Sequence, residues 1–179
     1  MGKIEGNYRL LEEKAAEYNY RLVEIPKHVL DEIAISSTKI RQALLGSQIE
    51  TANKLLGYDF FFEGVVGEGE KLGKQLGYPT ANLKYTDFDK IHLGEGVYAV
   101  YAEISGEFKK GMMSIGNRPT FNDTSEKVEV NVFDFNNDIY GKTVKVFVKK
   151  FLRAQEKYNT VEELKARIGL DKVESLKAL

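Results

Sequence analysis

From residue 58 onward the chain alternates between apolar and polar positions at period two. Val128, Val130 and Val132 alternate with Glu129, Asn131 and Phe133, and Val144, Val146 and Val148 repeat the pattern after an Asn136-Asn137-Asp138 turn region. Residues 60–66 are rich in aromatic and β-branched side chains, and residues 97–104 and 107–115 flank a Ser105-Gly106 turn. Successive side chains on a strand point to opposite faces, so this alternation predicts strands with one buried face. Several short strands linked by hairpins predict an antiparallel barrel or sandwich.

The first 57 residues have a different rhythm. Tyr8, Leu11, Ala15 and Tyr18 recur at helical spacing, and residues 20–25 alternate briefly before Pro26. A helix is predicted over 39–45, ended by Gly46, and Ser47-Gln48-Ile49-Glu50 has the pattern of a capping box opening another helix to Leu56 before Gly57. One strand cannot bury a face alone, so residues 1–57 read as a partial α/β segment. At the other end, Thr160-Val161-Glu162-Glu163 predicts a capped helix through Ile168, with Leu164 and Ile168 on its barrel-facing side. Gly169 is expected to break it.

Composition narrows the function classes. A chain of 179 residues with 42% hydrophobic and 30% charged residues is ordinary globular material. A net charge of −1 gives no global field toward nucleic acid or an anionic membrane. The lack of cysteine removes disulfides, thiolate nucleophiles and Cys-ligated zinc, and fits a cytoplasmic home. No apolar run reaches the ~20 residues that span a bilayer, and the N-terminus lacks the apolar core of a signal peptide. The histidines His28 and His92 stand far apart, which argues against a metal site or a histidine-based triad.

The chemistry concentrates in one stretch. Seven of the sixteen glycines lie between Gly64 and Gly96, and Gly69, Gly73 and Gly77 recur at four-residue spacing before Pro79-Thr80-Ala81-Asn82. Glycine lets backbone N–H groups approach an anion closely. A threonine hydroxyl and an asparagine amide supply oxygen ligands of the kind Mg²⁺ accepts. Together they point to a nucleotide-phosphate site; a flexible glycine hairpin without ligand is the alternative. The stretch is not a Walker A loop, because Gln75 stands where the hydroxyl belongs, nor a dinucleotide fingerprint, because Leu72 holds the third glycine position.

Further segments align in order behind this loop: Gly94-Glu95-Gly96-Val97-Tyr98, Ile115-Gly116-Asn117-Arg118-Pro119-Thr120-Phe121, Val128-Glu129-Val130-Asn131-Val132, and Tyr140-Gly141-Lys142 through Phe151-Leu152-Arg153. Taken together, residues 58–179 resemble the riboflavin kinase module of bacterial bifunctional riboflavin kinase/FAD synthetases. Residues 1–57 resemble the tail of the companion FMN adenylyltransferase module, with Ser36, Ser37, Thr38 and Arg41 in the place of its phosphate-binding motif. Hydroxyls and N–H groups at a helix N-terminus suit an anion, although plain N-capping explains the same residues. The His-x-Gly-His motif of that module does not occur in the chain, so FAD synthesis is not expected from it. Gly67-Glu68-Gly69 is one residue longer than the commonest family spacing, and Asn131 stands where histidine is common.

The resemblance implies a mainly β fold, a small antiparallel Greek-key-type barrel with a C-terminal helix, preceded by the partial nucleotidyltransferase-like segment. It implies transfer of the γ-phosphoryl of ATP to the ribityl 5′-hydroxyl of riboflavin, giving FMN and ADP with Mg²⁺ as cofactor. Gly69, Lys71, Gly73, Gly77, Thr80 and Asn82 are assigned to ATP and its phosphates, with Thr80 and Asn82 also on the metal. Glu129 is assigned as the base, and Arg118 and Arg153 to flavin binding or positioning. The expected partners are small molecules, with no nucleic acid and no membrane. Residues 1–57 are expected to be dispensable for phosphorylation, since the assigned kinase residues all lie beyond them. Competing expectations are an inactive flavin- or nucleotide-binding barrel and an oligonucleotide-binding barrel. The latter wants a basic, aromatic face, whereas acids here outnumber bases 27 to 26.

Overall fold

The structure is a computed structural model, and it describes residues 14–15, 17–19, 37–69, 72–87, 91–117 and 126–179. The chain divides into two compact units, Met1–Ala34 and Ile35–Leu179. In the first, the described residues Lys14, Ala15, Glu17 and Tyr18 are helical, and Lys14 pairs with Glu17. The alternating run over 20–25 lies outside the described residues.

The second unit opens with helices α1 (Ser37–Leu45) and α2 (Ile49–Leu56), followed by β1 (Phe61–Gly67), the short α3 (Leu72–Gln75) and β2 (Ala81–Tyr85). Then come β3 (Gly96–Ile104), β4 (Glu107–Asn117), β5 (Glu126–Val132), β6 (Thr143–Arg153) and the terminal helix α4 (Val161–Ala178). The strands close into a barrel in the order β1-β2-β5-β4-β3-β6, every pairing antiparallel. β3, β4 and β5 follow one another, and β6 returns beside β3, which is the Greek-key arrangement. The β3–β4 hairpin turns through Ser105 (φ 53°) and Gly106 (φ 85°), the positive angles that a tight two-residue turn requires.

The inward positions fill the barrel. Phe62, Tyr98, Val100, Met113, Ile115, Val130, Val144, Val146 and Val148 are essentially inaccessible, each large side chain contributing roughly 1.5–3 kcal/mol of burial. Ala43, Leu44, Ile49 and Ala52 of α1 and α2 join the same core. Asn53 ties α2 to the strands: its Nδ2 donates to the Val148 carbonyl (2.9 Å), and its Oδ1 accepts from Phe60 N (2.8 Å).

Two local expectations are corrected. Ser47 does not cap α2; the N-cap residue is Gln48, without a side-chain bond. Ser47 has φ 57°, and its hydroxyl pairs instead with Tyr98 OH at 3.1 Å, while Tyr98 donates to the Gly94 carbonyl at 2.6 Å. Nor does Gly169 end the last helix, which continues to Ala178. A Cβ at 169 would lie 3.2 Å from Tyr78 OH, so glycine there leaves room for the tyrosine hydroxyl. The Thr160 cap is present, with Thr160 Oγ1 accepting from Glu163 N at 3.1 Å. The buried face of α4 is polar: Asp171 and Ser175 are buried, whereas Leu164 and Ile168 are only partly covered.

Candidate active site

The β2–β5 pairing sets Asn82 opposite Glu129, between the Ala81–Val130 and Leu83–Val128 pairs. Residues opposite each other share a face. Leu83, Val128 and Val130 fill the barrel interior, so Asn82 and Glu129 stand side by side on the outer surface, both partly exposed. The same rung extends to Gly67 on β1 and Ser114 on β4. Gln155 Nε2 donates to Ser114 Oγ (2.8 Å) and to the Ile115 carbonyl (2.9 Å), fixing the irregular segment after β6 to this rung.

The glycine loop lies directly over these residues. A Cβ on Gly69 would fall 1.9 Å from Asn82 Nδ2 and 2.4 Å from its Cγ; one on Gly73 would fall 2.4 Å from the Tyr78 carbonyl and 3.1 Å from Thr80 Oγ1. Only glycine permits that approach. Gly77 serves a different need, since its φ of 85° is a left-handed turn with open space around it. The turn is closed by Tyr78 N donating to the Gly73 carbonyl (2.8 Å) and Gly77 N to the Lys74 carbonyl (3.2 Å). The loop therefore contains a helical turn docked onto Tyr78–Thr80.

Six of the assigned residues, Gly69, Gly73, Gly77, Thr80, Asn82 and Glu129, thus belong to one loop and the outer strand face it meets. Lys71 and Arg118 lie outside the described residues, as does Ser36. Ser37, Thr38 and Arg41 occupy the start of α1 with exposed side chains. Arg153 is held by α4: its Nε and Nη2 donate to the two Asp171 carboxylate oxygens at 2.8 and 2.7 Å, and Arg167 reaches the same carboxylate at 3.1 Å. The Asp171 hydrogen bonds hold the Arg153 guanidinium above its ordinary pKa against the opposing effect of burial. That arrangement seats the terminal helix on the barrel. Beside it, burial and the bond to Glu156 push the Tyr158 hydroxyl up to about 12, and the bond from Tyr158 lowers the Glu156 carboxyl.

Among the described residues no group of three or more His, Cys, Asp or Glu side chains forms a metal cage. Thr80 and Asn82 nevertheless offer hard neutral oxygens, the donor set expected where Mg²⁺ takes few protein ligands and several phosphate oxygens. No described helix is long and apolar enough to cross a membrane.

The family model for riboflavin kinase (Flavokinase) matches residues 56–179. The chain belongs to the riboflavin kinase family. Among curated relatives it is 41% identical over 146 residues to the bifunctional riboflavin kinase/FMN adenylyltransferase of Bacillus subtilis, covering 80% of this chain and 46% of the relative. The protein of that description from Buchnera aphidicola is 39% identical over 175 residues, covering 94% of this chain and 55% of the relative. The chain spans about half the length of these relatives. A solved structure described as a macrolide-efflux protein from Streptococcus pneumoniae superposes with a TM-score of 0.76 at 39% identity, covering 81% of this chain and 47% of that one.

For this riboflavin kinase family member, sequence reasoning set one residue aside that the structure brings to the loop. Asn131 is 6% exposed and donates from Nδ2 to the Pro79 carbonyl at 2.6 Å. Its signal was available in the period-two alternation, which places it on the Glu129 face.

Proposed function

We propose that this chain is an ATP:riboflavin 5′-phosphotransferase that forms FMN and ADP at the outer barrel face under the glycine loop. One observation carries the reading: Gly69 sits against Asn82, and Asn82 sits directly across from Glu129. A phosphate under the loop and a hydroxyl beside the carboxylate would then meet over a single rung of the sheet.

Phosphoryl transfer asks the protein chiefly for positioning and charge stabilisation. The loop glycines admit the phosphates to backbone N–H groups, and Thr80 and Asn82 provide oxygens for Mg²⁺, which neutralises phosphate charge when bound. The ribityl 5′-oxygen forms a bond to the γ-phosphorus as the bond to the β-phosphate bridging oxygen breaks. Glu129 accepts the hydroxyl proton. Arg153, committed to Asp171, acts by holding α4 and the end of β6 in place, and Arg118 is proposed to position the flavin from the segment after β4. Residues 58–179 are proposed as the kinase module and residues 1–57 as the end of an adenylyltransferase module, with Ser36, Ser37, Thr38 and Arg41 as its phosphate motif.

The test is chromatography of products after mixing protein, riboflavin, ATP and Mg²⁺. FMN formed with matching ADP supports the proposal. Flavin and nucleotide binding without FMN would make the barrel a binding module instead.

A further inference from the structure

The bond from Asn131 to Pro79 couples the strand that bears Glu129 to the segment that bears Thr80. Asn131 is a buried amide on an outward position, and a buried donor needs a partner. It finds one in the Pro79 carbonyl at 2.6 Å, 52 positions away in sequence. Proline has no N–H, so that carbonyl is the hydrogen-bonding group its backbone offers. The peptide plane is rigid, and fixing the Pro79 oxygen fixes the Thr80 N–H and the direction in which Thr80 leaves. Immediately before it, the Tyr78 N–H holds the Gly73 carbonyl at 2.8 Å, and the Tyr78 carbonyl packs where a Cβ on Gly73 would be.

We infer that Asn131 is a positioning residue for the nucleotide, clamping the Pro79–Thr80 peptide and through it the glycine loop relative to Glu129. The inference rests on the phosphotransfer reading for its kinetic consequence, though not for the clamp itself. The β2–β5 ladder begins one residue past the clamp, with Ala81 opposite Val130. Loss of the bond therefore loosens the loop while the sheet register stays.

Asn131→Leu keeps the branched heavy-atom skeleton and removes the donor. Asn131→His restores one, because the ring Nδ1 stands as many bonds from Cβ as the asparagine Nδ2. In ligand-free protein, hydrogen exchange at residues 73–80 should quicken roughly tenfold in Asn131→Leu. Exchange in β3 and β4 should be unchanged, and Asn131→His should return toward wild type. In turnover, KM for Mg-ATP should rise by about tenfold, with KM for riboflavin and kcat within about twofold. Unchanged loop exchange, faster exchange throughout the barrel, or equal rises in both KM values would overturn the clamp. Wild-type protein that forms no FMN overturns the phosphotransfer reading alone, and the loop exchange still decides the clamp.

Discussion

Asn82 and Glu129 face each other across the β2–β5 ladder, on the side of the sheet opposite the packed valines. That juxtaposition places a carboxylate beside an amide that the glycine loop already covers. Glu129→Gln keeps the size and the hydrogen-bonding capacity but cannot take a proton. A positioned base contributes ~10²–10⁴-fold, so kcat should fall at least ~10²-fold with both KM values nearly unchanged. Such a pattern marks an interaction made in the transition state. A variant retaining most of its kcat would leave Glu129 a solvated strand carboxylate.

Thr80 stands at the entry to β2, with its hydroxyl against the Gly73 backbone. Thr80→Ala should weaken Mg-ATP binding and leave riboflavin affinity alone, since the hydroxyl is assigned to metal and phosphate. Calorimetry with the nucleotide and flavin fluorescence read the two separately. Equal losses for both ligands would indicate a fold defect at the strand start.

Two neighbouring glycines should behave differently. Gly69→Ala would drive a methyl to within 1.9 Å of the Asn82 amide, forcing that side chain or the loop to move. Gly67→Ala would meet the Lys84 side chain at 3.5 Å and the Asn82 carbonyl at 4.0 Å, both ordinary contacts. Gly69→Ala should therefore cost at least about tenfold in kcat/KM for ATP while Gly67→Ala stays within about threefold, one lost positioning contact being worth roughly that factor. Steady-state kinetics at saturating riboflavin decides it. Equal behaviour of the pair would mean the Gly69–Asn82 approach is irrelevant to the nucleotide.

The strands were legible because a barrel with one buried face writes period two into its sequence, as at Val128, Val130 and Val132. The capped start of α4 was legible for the same local reason, a Thr-x-x-Glu pattern. Its continuation through Gly169 was not, because that glycine answers to Tyr78, far away in sequence. Ser47 misled in a similar way: its hydroxyl serves Tyr98 rather than the adjacent helix. In the site, residue types singled out Thr80 and Asn82, and the family resemblance singled out Glu129, but the pairing of Asn82 with Glu129 on one rung depends on register, which no local pattern records. Asn131 was given no role because it stands where histidine is common in the family, and its bond to Pro79 spans 52 positions that no local pattern connects.

Alkaline pH should probe the packing of Tyr158. Its pKa is raised to about 12 from the ordinary tyrosine value of 10.0, chiefly by burial. A folded-state pKa above the unfolded one gives stability that is complete below pH 10 and lost as pH rises through about 12. Urea titrations across that window should show wild-type stability falling more steeply than that of Tyr158→Phe, which has no proton to lose. Parallel curves would mean the hydroxyl titrates alike in both states.

The helix pair α1–α2 should matter to the barrel's stability more than to its chemistry. Leu44 and Ile49 are almost fully buried in the common core, and Asn53 satisfies both Phe60 N and the Val148 carbonyl. A chain comprising residues 58–179 loses these contacts, whereas one comprising 35–179 keeps them. Two large apolar side chains represent roughly 3–6 kcal/mol of burial, which for a domain of this size lowers Tm by at least about 10 °C. The proposed kinase residues, from Gly69 to Arg153, are present in both chains, so kcat at a temperature where both are folded should agree within about twofold. Calorimetric melting of the two chains, followed by turnover at low temperature, separates the effects. Equal melting temperatures would show that the barrel folds independently of α1 and α2; a lost kcat in folded 58–179 would place part of the catalytic geometry under their control.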